Sequence, residues 1–380
     1  MNASTVASDT DQIWPPLSRV NPDLQGHEQT ERTLIEAFQG ERMAHAWLVS
    51  GPKGIGKATL AYRFARYVLR HSGNIDQSSI GLFGDDLGND DPESLWIDPA
   101  SPVFQRVAAG GHADFMGIER SLNDKGKLRK EIVIDDVRGI GAFMSLTAGE
   151  GGWRVVVIDS ADEMNRNAAN AVLKVLEEPP DRALLLLISH SPGRLLPTIR
   201  SRCRKLVMSG LPEPQVITLL ESYLPDVGAD DRIALAKLSE GSVGRAVELS
   251  DAGGLTLYRN ILGLLASCPQ LDIAQLHKLA GEWSKAGAED TFKTAMDILL
   301  DVLSRLIRAF AANQGRSTLQ HQEAEIFEIL SATADLDRWL KVWEKINDLL
   351  GRTDAINLDR KQVVLNMFLE IEGAAQSDQR

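Results

Sequence analysis

Gly51-Pro52-Lys53-Gly54-Ile55-Gly56-Lys57-Ala58-Thr59 follows the apolar run Ala44–Val49 and precedes Leu60–Leu69, whose composition suits a helix. A strand, a glycine-rich turn and a helix in that order make a phosphate cradle. Glycines let backbone N–H groups converge on an anion, the helix N-terminus adds partial positive charge, and a lysine reaches the outer phosphates. The pattern G-x-x-x-x-G-K-[ST] is complete except at its last position, where Ala58 replaces the hydroxyl that ordinarily ligates Mg²⁺. Gly51, Gly54, Ile55, Gly56, Lys57, Ala58 and Thr59 are thus the expected nucleotide contacts. Thr59 lies about 100° further round the helix than Ala58 and is expected to point away from the metal position.

At 380 residues the chain is too long for one ordinary core and predicts two or three domains. A composition 43% hydrophobic and 25% charged is that of a globular protein. No run approaches the roughly 18 apolar residues of a membrane helix, and the polar start suggests a cytoplasmic protein with no membrane partner. Two cysteines, Cys203 and Cys268, are too few for a disulfide framework or a four-thiolate zinc site. A net charge of −12 argues against a general nucleic-acid-binding surface, though local basic patches remain compatible with it.

Residues 1–16 read as a disordered lead, Asn21–His27 as a turn, and the next stretch as an amphipathic helix with Leu34, Ile35 and Phe38 on one face. Gly84–Asp91 is acidic and glycine-rich without the ligand order of a calcium loop, and reads as an exposed loop. Ile132–Ile134 reads as a short strand leading into a helix at Asp135. Trp153–Ile158 and Leu184–Ile188 are near-continuous apolar runs, as expected of strands covered on both faces in a parallel sheet. Between them lies a helix capped by Asn165 and stopped by Pro179-Pro180. The expected fold is therefore α/β over residues 1–209, followed by a small helical domain at 210–253 and an all-helical domain at 254–380. The last of these includes Asp290–Ala312 and a helix over Leu358–Glu372 capped by Asn357.

Asp159 follows the Trp153–Ile158 strand, where a carboxylate can hold Mg²⁺, directly or through water, beside a cradled triphosphate. The next position ordinarily carries the glutamate that polarises the attacking water; here it is Ser160. Two parts of a hydrolytic site are thus replaced while the groups that hold phosphate persist.

Gly51–Lys57, Val156–Asp159, Asn170–Pro180 and Ser201-Arg202-Cys203 together resemble the bacterial clamp-loader subunits of DNA polymerase III, members of the AAA+ class. The resemblance covers the first 250 residues by motif and the helical remainder by architecture. It implies an AAA+ phosphate-loop domain, a helical lid and an oligomerisation collar. It also implies that Arg202 reaches in trans to the γ-phosphate held by a neighbouring subunit, where a guanidinium neutralises charge on the transferring phosphoryl group. Cys203 then serves packing. By the same resemblance Arg245 matches the second sensor arginine, Ser189 or His190 falls near the first sensor, and Asn170 and Lys174, on one face of the signature helix, could meet a neighbour or simply form a solvated face. Within that resemblance, Ala58 and Ser160 imply a non-motor stator member of the family rather than a motor subunit.

The partners this implies are the tau/gamma motor and delta subunits in a hetero-pentamer, with the sliding clamp and primer-template DNA met through the assembly. ATP or ADP is the implied ligand, with Mg²⁺ only alongside nucleotide. No zinc is expected, because the stretch where relatives carry a four-cysteine module has no cysteine here. Two other readings stand beside this one: a hydrolysing motor subunit using a carboxylate such as Asp162, and an AAA+ nucleotide switch outside the loader.

Overall fold

Three runs that are apolar on both faces build the centre of a parallel sheet. The computed structural model describes residues 16–40, 43–72, 93–312, 321–356 and 358–376; all of the expected lead 1–16 but its last residue, the acidic stretch Gly84–Asp91 and the cap Asn357 lie outside them. The chain divides into two compact units, Met1–Val247 and Glu248–Arg380.

In the first unit the strands β1 (Ala46–Ser50), β2 (Phe115–Ile118), β3 (Arg154–Ile158), β4 (Ala183–Ser189) and β5 (Arg204–Val207) form one parallel sheet of order β2-β3-β4-β1-β5. Every residue of β1, β3 and β4 is buried. Alternate side chains face opposite ways. Trp47, Val49, Val157 and Leu186 pack with Leu34 of α1 (Glu28–Gln39) and with Leu60, Phe64 and Val68 of α2 (Lys57–Ser72). Leu48, Val156, Ile158 and Leu187 pack on the other side with residues of α4 (Ile134–Val137), α5 (Gly139–Ser145) and α6 (Arg166–Glu177). The short α3 (Pro102–Ala108) adds Val103 and Val107 to the first layer. The helix α7 (Pro197–Arg202) adds Ile199 to the second.

The strand expected at Ile132–Ile134 does not form. Ile132 makes one isolated parallel bridge to Met164, and Ile134 already opens α4. The Asp136 carboxylate accepts from the Val133 N–H at 2.8 Å, and a short acidic side chain at a helix start competes well with strand pairing. The strand that does border β3 is β2, only four residues long and containing Gly117. The turn that leads into it ends at Asp114, which is 1% exposed. That carboxylate accepts from the N–H groups of Gly149 (2.8 Å) and Glu150 (3.0 Å) and pairs with Arg154 at 3.3 Å. Arg154 also donates to the carbonyls of Phe143 (2.9 Å) and Thr147 (2.5 Å).

Beyond the sheet run α8 (Glu213–Tyr223), α9 (Ala229–Leu238) and α10 (Val243–Asp251). The second unit holds α11 (Gly254–Ala266), α12 (Ile273–Trp283), α13 (Glu289–Ala312), α14 (His321–Thr333), α15 (Leu336–Ile356) and α16 (Arg360–Ala375). Its core contains a buried ion pair, Arg305 to Glu323 at 2.7 Å, beside Tyr258, whose hydroxyl pKa is raised by burial and then by the Glu323 carboxylate.

The cap of α16 is Asp359, not Asn357: its carboxylate accepts from the Gln362 N–H at 2.9 Å, and the helix starts at Arg360, two residues later than expected from Leu358. Asp and Asn cap equally well, so composition alone did not choose between neighbours. Asp359→Ala is expected to cost about 1 kcal/mol in urea denaturation. No loss would show that the bond does not support the helix.

Candidate functional site

The glycine-rich loop leaves β1 at the carboxyl ends of the strands, where ligands of open α/β sheets bind. Gly51 has φ +149°, and a Cβ there would stand 2.2 Å from the Met208 carbonyl oxygen. Gly54, at φ +77°, touches Gly244: the Gly244 N–H donates to the Gly54 carbonyl at 2.9 Å, and a Cβ on Gly54 would meet the Ser242 hydroxyl oxygen at 2.5 Å. The Ser242 hydroxyl donates to the Lys53 carbonyl at 2.7 Å. Only glycine at both places permits this approach.

From the loop α2 runs 16 residues, its N-terminus facing a cavity of about 350 Å³. Gly54, Ile55, Gly56, Lys57, Ala58 and Thr59 line one end. Thr59 borders the cavity although the rotation argument turned it away from the metal position. A cavity meeting a helix end-on touches successive residues of the first turn, whatever face each occupies. Asp159, Ser160 and His190 line the carboxylate side. The far end is formed by Asn21, Leu24, Leu219, Tyr223 and Val243, none of which the sequence singled out as a contact.

The segment before α1 is held over the loop by basic side chains of α2. Arg66, 1% exposed, donates to the carbonyls of Arg19 (3.0 Å) and Asn21 (2.7 Å) and stacks on the Phe104 ring at 4.2 Å. Arg63 pairs with Glu31 at 3.0 Å and donates to the Pro22 carbonyl. His27 Nε2 donates to the Ile55 carbonyl at 2.9 Å.

The Lys57 ammonium donates to the carbonyls of Gly51, at 2.7 Å, and Pro52. Burial lowers its pKa to about 8, against the pull of the Asp159 and Asp162 charges. The folded chain therefore binds fewer protons than the unfolded chain between pH 8 and 10.5. The cost of burying the cation is present below that window and is relieved as pH rises through it. A bound phosphate keeps the proton on Lys57, so nucleotide affinity is expected to fall above about pH 8, approaching tenfold per pH unit. Calorimetric titration with ADP in buffers of different ionisation heat would report the matching proton uptake. A dissociation constant flat across that range would remove Lys57 as the phosphate-holding cation.

Asp159 is held above the usual carboxylate range by burial, with Glu119 adding to the effect and the Ser160 backbone opposing it. Ser160 adopts φ +57°. Its hydroxyl lies 3.4 Å from Asp159 Oδ1 and 3.2 Å from His190 Nε2. Asp162 is differently engaged: its two oxygens accept from the N–H groups of His190 (2.9 Å) and Ser191 (3.1 Å). Burial alone would raise its pKa, and the His190 N–H together with the Ser189 hydroxyl more than offset that, so it stays ionised as a latch on the end of β4.

Ser189 is fully buried at the end of β4, and His190 rather than Ser189 lines the cavity. Gly51 lies just outside the lining residues. Arg245 is half-buried next to Gly244, its N–H accepted by the Ser242 hydroxyl at 3.1 Å. Arg202 stands apart from this cavity at the end of α7. It donates to the Thr198 carbonyl at 3.0 Å and pairs with Glu177 of α6 at 2.9 Å, the two side chains 35% and 49% exposed. Cys203 is buried in the second layer, which raises its thiol pKa to about 11 and suits packing. Asn170 and Lys174 are exposed on α6.

The family model described as DNA polymerase III, delta subunit, matches residues 85–212. DNA polymerase III subunit delta' of Pseudomonas aeruginosa is 38% identical over 213 residues, covering 55% of this chain and 57% of that protein. By sequence, the chain is similar to delta' subunits of DNA polymerase III over a little more than half its length. The Escherichia coli delta' subunit is 31% identical over 216 residues, 57% of each chain, so the chain spans a little over half the length of both relatives. A solved gamma-subunit-related protein from Thermotoga maritima overlays with a TM-score of 0.38 at 17% identity, covering 92% of this chain and 100% of that one. Among the described residues no helix is long and apolar enough to cross a membrane.

Proposed function

We propose that this chain is the delta-prime subunit of a replicative sliding-clamp loader, a non-motor member of an AAA+ hetero-pentamer with tau/gamma motor and delta subunits. It works in the cytoplasm, meets the clamp and primer-template DNA through the assembly, and donates Arg202 to the active site of a neighbour. Residues 210–253 act as a lid and 254–380 as the oligomerisation collar. The observation that carries this reading is a pairing. The chain presents Arg202 on an accessible helix end, while its own phosphate site has Ala58 and Ser160 where a hydrolytic site needs a hydroxyl and a carboxylate.

The motor reading needs a carboxylate to activate water. Asp162 has both oxygens committed to backbone N–H groups of the β4 terminus, and that geometry disfavours it. The nucleotide-switch reading predicts no assembly with loader subunits. Mixing the full chain with motor and delta subunits and sizing the product tests the proposal. A stable mixed assembly with clamp-stimulated ATPase is expected. Failure to assemble would overturn it.

A further inference from the structure

A phosphate loop of this kind ordinarily works with Mg²⁺, held by the hydroxyl after the lysine and by the carboxylate at the end of the neighbouring strand. Magnesium demands near-octahedral oxygen ligands and tolerates little distortion. The ligand set here does not fit that ion. Ala58 offers a methyl group where the hydroxyl belongs, and Thr59 sits one residue further round the helix. The Ser160 hydroxyl lies between Asp159 and His190, and the Asp162 oxygens are taken by two backbone N–H groups. Among the described residues, Asp159 is the carboxylate that lines the cavity beside Ser160 and His190. Among the described residues, no three His, Cys, Asp or Glu side chains gather to hold a metal.

The groups that hold phosphate without a metal are all in place. They are the backbone of a glycine turn, the N-terminus of a 16-residue helix, and a lysine 2% exposed whose ammonium is aimed at the loop. We propose that this site binds a nucleoside di- or triphosphate without a divalent cation, as a bound structural ligand rather than a fuel. The inference rests on the reading of the cavity as a nucleotide site and adds the metal independence to it. Such an occupant would brace the glycine loop and, through the Ser242 and Gly244 contacts, the turn that follows α9.

The test is calorimetric titration of the full chain with ADP, once with excess Mg²⁺ and once with EDTA. The two dissociation constants are expected to agree within about threefold, and a larger difference would overturn metal independence. Ala58→Thr, which returns the missing hydroxyl, is expected to make binding at least about tenfold tighter with Mg²⁺ than without. A variant as indifferent to Mg²⁺ as the parent would overturn the assignment to residue 58. Lys57→Ala should lose binding in both buffers. Absence of binding by the parent chain in either buffer would end the nucleotide-site reading together with this inference, whereas a metal-dependent parent would end only the inference.

Discussion

Arg202→Ala is expected to lower the clamp- and DNA-stimulated ATPase of the reconstituted loader at least tenfold, or about 1.4 kcal/mol of transition-state stabilisation, with assembly intact. Arginines supplied in trans to phosphoryl transfer are worth about 10³–10⁵ in rate, so the full loss could be far larger. The pairing seen in the single chain does not stand in the way. A half-exposed Arg202–Glu177 bridge is worth at most about 1 kcal/mol, which is small beside about 4 kcal/mol for a thousandfold rate effect. Because the guanidinium is a planar fork, Arg202→Lys should restore little of the activity. An unchanged rate in an intact complex would remove the trans-arginine reading and leave this subunit a scaffold.

Asp114→Ala is expected to cost about 3–5 kcal/mol in denaturant unfolding, the range for breaking a buried ion pair from one side. Three partners lose their acceptor at once: the N–H groups of Gly149 and Glu150 and the guanidinium of Arg154, itself 7% exposed. Arg154 would keep its bonds to the Phe143 and Thr147 carbonyls but lose its Asp114 counter-charge. Asp114→Asn retains an acceptor of the same shape and should lose less. A loss under about 1 kcal/mol for the alanine variant would mean that water or a local shift satisfies these groups, and that the network does not hold β2 in place.

The strands legible in the sequence were those buried on both faces. β1, β3 and β4 read as unbroken apolar runs because helices cover them on each side. β2 escaped because a four-residue segment with a central glycine has no pattern of its own and is held by pairing with β3. β5 is an edge strand whose Arg204, Lys205 and Val207 face solvent, so its composition is that of a surface loop. The phosphate end of the cavity was legible because its chemistry imposes a fixed spacing. Its far end, from Asn21 to Tyr223 and Val243, is assembled by tertiary contacts between segments that share no local signature. The Asp162 latch was hidden for the same reason: its partners, His190 and Ser191, lie just past the end of the next strand.

The interlock of Gly54 with Gly244 has a mechanical meaning. A rotary lid must swing against the phosphate loop on every turnover, so its hinge has to be soft. Here two hydrogen bonds, from Ser242 to Lys53 and from Gly244 to Gly54, fasten the turn to the loop, and no side chain between the glycines leaves slack. At about 1 kcal/mol each, these bonds bias the joint toward the fastened arrangement by about one to two orders of magnitude. A part stiffened in this way transmits force without absorbing it, which is what the proposed stator role would require.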